Sequence, residues 1–384
     1  MKEADRMKKP LLAILSVSAG AGHVRAAEAL EAAARKHYPD VATEHIDVMD
    51  EVGVLFRRLY AESYLSIVEH HPELWGYIYQ KADGQKQDQT LSRFRRTIQR
   101  LNAQKFMARL KKLNPDRVIC THFLPAELLA RKIAHGKFFS PVFVQVTDFD
   151  IHTLWVQQGM AGYFAACPEV AFRMADRDIA PETIHCTGIP IMPVFGEPLS
   201  RTRCAAELGL DAARPTLLMM SGGYGIGGIE LLAERLLGID MDFQIIALAG
   251  KNQDLLARLR DLAARFPGRL LPMGFTTTIE RVMAAADLAV TKPGGLTTSE
   301  CLAMGLPMVV VSPIPGQEER NADFLLENGA ALKAYDGAGL VFRVETLLRH
   351  PERLGQMRRR AAALGRPDAA EKVLAIVMRQ TPGA

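Results

Sequence analysis

Residues 289–324 read AVTKPGGLTTSECLAMGLPMVVVSPIPGQEERNADF. Leu288, Ala289 and Val290 end a short apolar strand, and Lys292, Pro293, Gly294 and Gly295 turn the chain. The spacing over 297–304 then predicts a helix with Ala, Leu and Cys on its inner face. A second strand over 307–312 leads into a polar loop carrying Gly316, Gln317, Glu318 and Asn321. Strand, glycine turn, helix, strand is the grammar of a parallel α/β sheet, whose ligands bind beyond the carboxyl ends of the strands. Two adjacent glycines let backbone N–H groups approach an oxyanion, and the helix dipole favours negative charge there. This set suits a nucleotide-sugar. The diphosphate falls on the turn 292–295, with Thr297 beside it, the ribose on Glu300, and the sugar hydroxyls on the 316–321 loop.

The chain has 384 residues, enough for two domains with a core each. A net charge of +4 is mild, so the distribution of charge says more about partners than its sum. The five cysteines are scattered and lack paired spacing, which fits reduced core residues and the cytoplasm. No stretch has the length of a membrane span and no signal peptide precedes the first strand, so any work on a membrane is expected from its surface.

Residues 11–17 read as a buried strand, 18–23 (SAGAGH) as a glycine-rich turn, 24–36 as an Ala-rich helix and 41–47 as the next strand. This βαβ opening announces a doubly wound domain. As a dinucleotide fingerprint the turn is incomplete, lacking a third glycine and an acidic partner. It sets Gly22 and His23 at the helix start, where a histidine serves either as a general base or as a cap. Strands at 117–120 and 142–147 end at His122 and Asp148, on the same rim. Asp148 and Asp150 match a short metal-holding pattern, but the glycine loops lie elsewhere, and the metal reading is set aside. The prolines and charges of 196–214 suggest a linker. The second half repeats the grammar, with a glycine loop at 221–228 that includes Ser221, Gly222 and Gly223. A strand then ends at Gly250 and Lys251, and another at Gly274 and Phe275, where exposed backbone could read a flat base.

Residues 54–113 break the pattern. Trp75 and Tyr79 sit in a cluster of aromatics, followed by helical spacing with Arg93, Arg95, Arg96, Lys105, Arg109, Lys111 and Lys112, opposed within the stretch by Asp88. A basic amphipathic helix beside aromatics fits an anionic membrane surface, where each well-placed cation contributes about 1 kcal/mol. A core-packing helix with a solvated basic face fits as well. No nucleic-acid-binding motif accompanies the charge, which argues against that partner.

Five segments taken together, 16–30 (SVSAGAGHVRAAEAL), 146–156 (VTDFDIHTLWV), 187–195 (TGIPIMPVF), 221–230 (SGGYGIGGIE) and 291–324, resemble in order the monogalactosyldiacylglycerol synthases and the bacterial processive diacylglycerol glycosyltransferases. Lipid-II-forming N-acetylglucosaminyltransferases are more distant relatives. The resemblance implies the α/β GT-B fold of glycosyltransferase family 28, two Rossmann-like doubly wound domains facing across a cleft. It implies an acceptor-binding, membrane-docking domain over 1–195, a donor-binding domain over 196–365, and a last helix in 366–384 packing back on the first.

By matched motif, His23 is the catalytic base; the position of Asp148 on the same rim, rather than a motif, suggests that it orients His23. Gly22, Ser221, Gly222, Gly223, Lys251, Gly274, Phe275, Lys292, Pro293, Gly294, Gly295, Thr297, Glu300, Gly316, Gln317, Glu318 and Asn321 hold the donor. Trp75, Tyr79, Arg93, Arg95, Arg96 and His122 meet the acceptor or the membrane. The implied reaction is inverting transfer from UDP-glucose or UDP-galactose to a lipid hydroxyl such as that of diacylglycerol, giving a β-glycoside. No metal or other cofactor is expected. The protein is expected in the cytoplasm, attached peripherally to the inner membrane face. Transfer of N-acetylglucosamine to a lipid-linked cell-wall precursor and UDP-sugar 2-epimerisation are the alternative activities.

Overall fold

The first sheet is built on the mainly apolar runs β1 (Leu11–Ser16), β3 (Arg117–Cys120), β4 (Val142–Gln145) and β5 (Gly162–Ala165), flanked by the more polar β2 (Ala42–Asp47) and the short β6 (Ile184–Cys186). All pairs are parallel, in the order β2-β1-β3-β4-β5-β6. The chain leaves β1 for β2 and then crosses to β3 on the other side of β1. That reversal opens a crevice at the carboxyl ends of β1 and β3. The computed structural model describes residues 9–18, 20–53, 104–220 and 228–379. Trp75, Tyr79, Arg93, Arg95, Arg96, Ser221, Gly222 and Gly223 lie outside the described residues.

The helix Ala21–His37 covers this sheet with a face of alanines. Ala27, Leu30, Ala33 and Ala34 pack with Leu12, Ile14, Ile119, Phe143 and Phe164. Small side chains leave room for a second helix, Ala369–Arg379, whose Ala370, Val373, Leu374 and Val377 complete the same core. The chain therefore divides into two units, Met1–Pro193 with Asp368–Ala384, and Val194–Pro367.

The second unit repeats the construction with β7 (Thr216–Met220), β8 (Gln244–Leu248), β9 (Leu270–Met273), β10 (Leu288–Thr291), β11 (Met308–Val311) and β12 (Ala331–Ala334). Its order is β12-β11-β10-β7-β8-β9, again all parallel. The reversal falls between β7 and β10, so the turn that leaves β10 sits at the switch point, where such sheets bind ligands.

Two expectations are corrected. Residues 196–214 are not a linker. Ser200 caps a helix, Arg201–Glu207, whose Cys204 and Ala205 pack on Ala285. Arg201 binds both oxygens of Asp287, at 3.1 and 2.6 Å, and Asp287 also accepts from the backbone N–H of Thr216. The segment belongs to the second unit because the Arg201 guanidinium is anchored to that sheet.

The second correction concerns the basic stretch, whose described part is the helix Gln104–Leu113 with Phe106 and Leu110 buried. Arg109 bonds to Glu44 at 2.6 Å and to Glu51, and Lys105 lies 3.4 Å from Glu51. These two cations are opposed by carboxylates distant in sequence. The Arg109 guanidinium holds the Glu51 carboxyl below its usual range. Lys111 and Lys112 remain exposed.

Candidate active site

The glycine-rich turn after β1 is shaped by Gly20, whose φ of 117° and ψ of 150° suit only glycine. Asp47, at the end of β2, braces it by accepting from the backbone N–H groups of Ser18 (3.2 Å) and Met49 (2.9 Å). The helix starts at Ala21, with Gly22 and His23 in its first turn and both half-buried. His23 Nδ1 lies 2.9 Å from the backbone carbonyl oxygen of Thr121 and 2.9 Å from the hydroxyl oxygen of Thr147. A carbonyl can only accept, so Nδ1 carries the hydrogen and Nε2 keeps its lone pair. The Thr121 hydroxyl donates back to the His23 carbonyl oxygen at 2.9 Å, so the two backbones are tied at the crevice. Desolvation pushes the His23 pKa down to about 4, and the bond to Thr121 opposes part of that shift.

Around His23 the topology gathers aromatic residues from two segments, 122–123 and 152–155. His122, at the end of β3, meets the His23 ring edge-to-face, with centroids 4.5 Å apart and planes at 87°. It lies 4.1 Å from the Phe123 ring. Trp155 stands 6.2 Å from His23, 6.1 Å from His122 and 6.1 Å from His152. Trp155 is fully buried, and its indole N–H has no hydrogen-bond partner among the described residues. Histidine at 122 was expected to face an acceptor on the rim; it is instead 3% exposed and caps the helix Phe123–Ala134, its Nδ1 accepting from the Leu124 N–H at 3.0 Å. Sequence reasoning missed Thr121, Thr147 and Trp155 as neighbours of His23, and His152 as a neighbour of Trp155. Three of the four lie inside the quoted segment 146–156. The orienting role given to Asp148 is filled at Nδ1 by Thr121 and Thr147, while Asp148 has interactions of its own.

In the second unit, Gly294 caps the helix Gly295–Ala303, whose first N–H groups have no partner within the helix. Lys292 and Thr297 flank this turn half-buried, and Pro293 is buried. Glu300, 8% exposed, lies on the same helix and is engaged in interactions within the protein. After β11, Gly316 adopts φ 91°, ψ −104°, and its N–H bonds to Glu319 at 3.2 Å. One carboxylate oxygen of Glu318 accepts from the Ile314 N–H at 2.7 Å. The other lies 3.8 Å from where a Cβ on Gly294 would stand. Glu318 thus spans the loop and the glycine turn.

Of the three side chains expected to read sugar hydroxyls, Gln317 and Glu318 keep accessible surface, whereas Asn321 is fully buried. At the carboxyl ends of β8 and β9, the Lys251 ammonium sits 5.3 Å from the centroid of Phe275, which is 63% exposed. Gly274 beside it lies close to Leu256: a Cβ there would stand 3.4 Å from a methyl of that side chain. Among the described residues no group of three or more His, Cys, Asp or Glu side chains is placed to hold a metal ion.

Two families match this chain: monogalactosyldiacylglycerol (MGDG) synthase over residues 23–191 and the glycosyltransferase family 28 C-terminal domain over 229–373. A processive diacylglycerol beta-glucosyltransferase of Bacillus pumilus is 31% identical over 70% of this chain and 70% of its own length. One from Bacillus cereus is 29% identical over 97% of this chain and 94% of its own. Among solved structures, MurG of Acinetobacter baumannii aligns with a TM-score of 0.63 at 18% identity, covering 97% of this chain and 100% of that one. A UDP-GlcNAc 2-epimerase of Neisseria meningitidis bound to UDP-GlcNAc gives 0.59 at 15%, with 97% and 100% covered. These structures are alike in fold. With its paired parallel sheets of the GT-B class, the chain belongs to the family of monogalactosyldiacylglycerol synthases and processive diacylglycerol glycosyltransferases.

Proposed function

We propose that this glycosyltransferase moves a hexose from UDP-glucose or UDP-galactose to the free hydroxyl of diacylglycerol, with inversion, giving a β-glycosyl lipid. The observation that carries the reading is the state of His23: its Nδ1–H is committed to Thr121 and its Nε2 is left as a base. The names of the relatives support diacylglycerol as acceptor, and the likeness to a UDP-GlcNAc-bound structure accords with a nucleotide-sugar donor.

The acceptor hydroxyl donates to Nε2 of His23. As its oxygen bonds to the anomeric carbon, the proton passes to Nε2 and the bond from that carbon to the diphosphate breaks. General-base assistance of this kind is worth about 10²–10⁴-fold. The charge developing on the departing diphosphate is met by N–H groups at Gly294 and Gly295 and by Lys292, without a metal. Glu300 takes the ribose, and Gln317 and Glu318 read sugar hydroxyls. Low basicity keeps His23 unprotonated at neutral pH, and negative charge brought by substrate raises its proton affinity as transfer proceeds. The protein works at the cytoplasmic membrane face, held to anionic lipid by the basic and aromatic residues of 54–113. No described helix is long and apolar enough to cross a membrane.

The test is a panel of labelled UDP-glucose, UDP-galactose and UDP-N-acetylglucosamine offered with diacylglycerol vesicles in EDTA. Label in extracted lipid as a β-hexoside supports the reading. An altered nucleotide-sugar left in the aqueous phase, or transfer only of N-acetylglucosamine, contradicts it.

A further inference from the structure

His122 is a second imidazole at the site, and transfer by His23 as described above makes no use of it. Its geometry assigns it a narrow set of roles. The backbone N–H of Leu124 points at Nδ1, 3.0 Å away, so Nδ1 must be an acceptor and the hydrogen sits on Nε2. Protonating His122 would break the cap of the helix Phe123–Ala134 and place a cation at a position 3% exposed. Burial, with His23 and His152 next in effect, keeps its pKa well below the usual histidine range. His122 is therefore excluded as an alternative base and as a relay for the proton that His23 acquires.

What His122 does offer is a surface. Its ring stands perpendicular to that of His23 at 4.5 Å, backed by Phe123 at 4.1 Å and flanked by Trp155 at 6.1 Å. The groups around the base are thus Thr121 from the end of β3, Thr147 from the end of β4, His122 and Trp155, with His152 behind them and Asp148 next in sequence to Thr147. Thr121 and Thr147 hold the ring at Nδ1, which with the Cβ–Cγ bond leaves it small excursions. A perpendicular neighbour at 4.5 Å narrows those excursions and keeps water from the side it occupies.

We propose that His122 is a positioning residue for His23: its Nδ1 caps a helix, and the rest of the same ring walls the base, setting the plane in which Nε2 meets the acceptor hydroxyl. The inference rests on His23 being the base, and the test separates failure of one from failure of the other. Two variants divide the ring's two jobs. His122→Asn keeps a capping oxygen but removes the wall, since Asn is among the favoured N-cap residues. His122→Phe keeps the wall and removes the cap.

The readouts are the His23 imidazole titration by NMR, kcat and donor KM across pH, and thermal melting. In His122→Asn the His23 pKa rises by at least about one unit as solvent reaches the ring, and kcat falls roughly tenfold with donor KM within about twofold. In His122→Phe the melting temperature drops while the His23 titration stays where it was. A His23 titration and kcat unchanged in His122→Asn would overturn the proposal, as would equal shifts in both variants. If His122→Asn does not fold, His122→Gln takes its place with the same two outcomes. Should His23→Ala retain turnover, the base assignment falls, and the titration still reports whether His122 governs the His23 ring.

Discussion

The side chain of His23 and the backbone of Thr121, 98 residues apart in sequence, are bonded in both directions: ring N–H to the Thr121 carbonyl, Thr121 hydroxyl to the His23 carbonyl. The first bond fixes the tautomer and the second fixes the helix start that carries the ring. Both exist because β3 returns beside β1 after a long excursion, with Leu15 paired to Cys120.

The Thr147 hydroxyl shares the Nδ1 hydrogen at 2.9 Å, which gives it an orienting role that sequence alone had offered to Asp148. Thr147→Val should lower kcat about two- to tenfold, the worth of one neutral hydrogen bond, with donor KM little changed. Asp148→Asn should leave the acid limb of the pH–rate profile in place. A displaced limb in the Asp148 variant, with none of these effects in the Thr147 variant, would return the role to the carboxylate.

Stability should depend on pH through the same ring. Folded His23 has a pKa near 4 against 6.5 for the solvent-exposed imidazole of the unfolded chain, so between these values the unfolded chain binds more protons than the folded one. Keeping the ring neutral therefore costs nothing above the upper value, and stability falls as pH drops from 6.5 toward 4. Melting temperature should decline across that window, and His23→Gln should flatten part of the decline. A slope identical in both proteins would show that other groups account for it.

Glu318 spans the Ile314 N–H and the space beside Gly294. Glu318→Ala should raise donor KM severalfold by releasing the 313–316 segment from the glycine turn, and Glu318→Gln, whose amide oxygen still accepts from Ile314, should recover most of it. Titrating UDP and the UDP-hexoses separately by calorimetry checks this. Equal losses in the two variants would mean that the charge matters rather than the bond.

The cations of the basic stretch should divide into two groups. Arg109 is tied to Glu44 and Glu51, so Arg109→Ala should lower the melting temperature while leaving sedimentation with anionic vesicles unchanged. Arg93, Arg95 and Arg96 changed together to Glu should do the reverse, and the vesicle binding should weaken with salt. Equal sedimentation with neutral vesicles would remove the electrostatic account.

Much of the fold was legible in the sequence because most strands are short apolar runs and several of them end at glycine turns, and those signals are local. His23 at a helix start and the turn at Gly294 and Gly295 came from the same signals. What could not be read was pairing at a distance. Nothing near Arg109 announces Glu44, nothing near Arg201 announces Asp287, and the wall of His122 and Trp155 around His23 exists only once β1, β3 and β4 are neighbours. Asn321 illustrates the converse: its place in a polar loop suggested a sugar contact, yet the residue sits on the inner face of the helix Gln317–Glu327 and is buried.

The most direct measurement is transfer of labelled hexose from its UDP donor into extractable diacylglycerol glycoside, with His23→Ala run beside the unaltered protein. The account predicts a turnover lower by about 10²–10⁴-fold in the variant, with UDP affinity within about twofold. Turnover near that of the unaltered protein would contradict it.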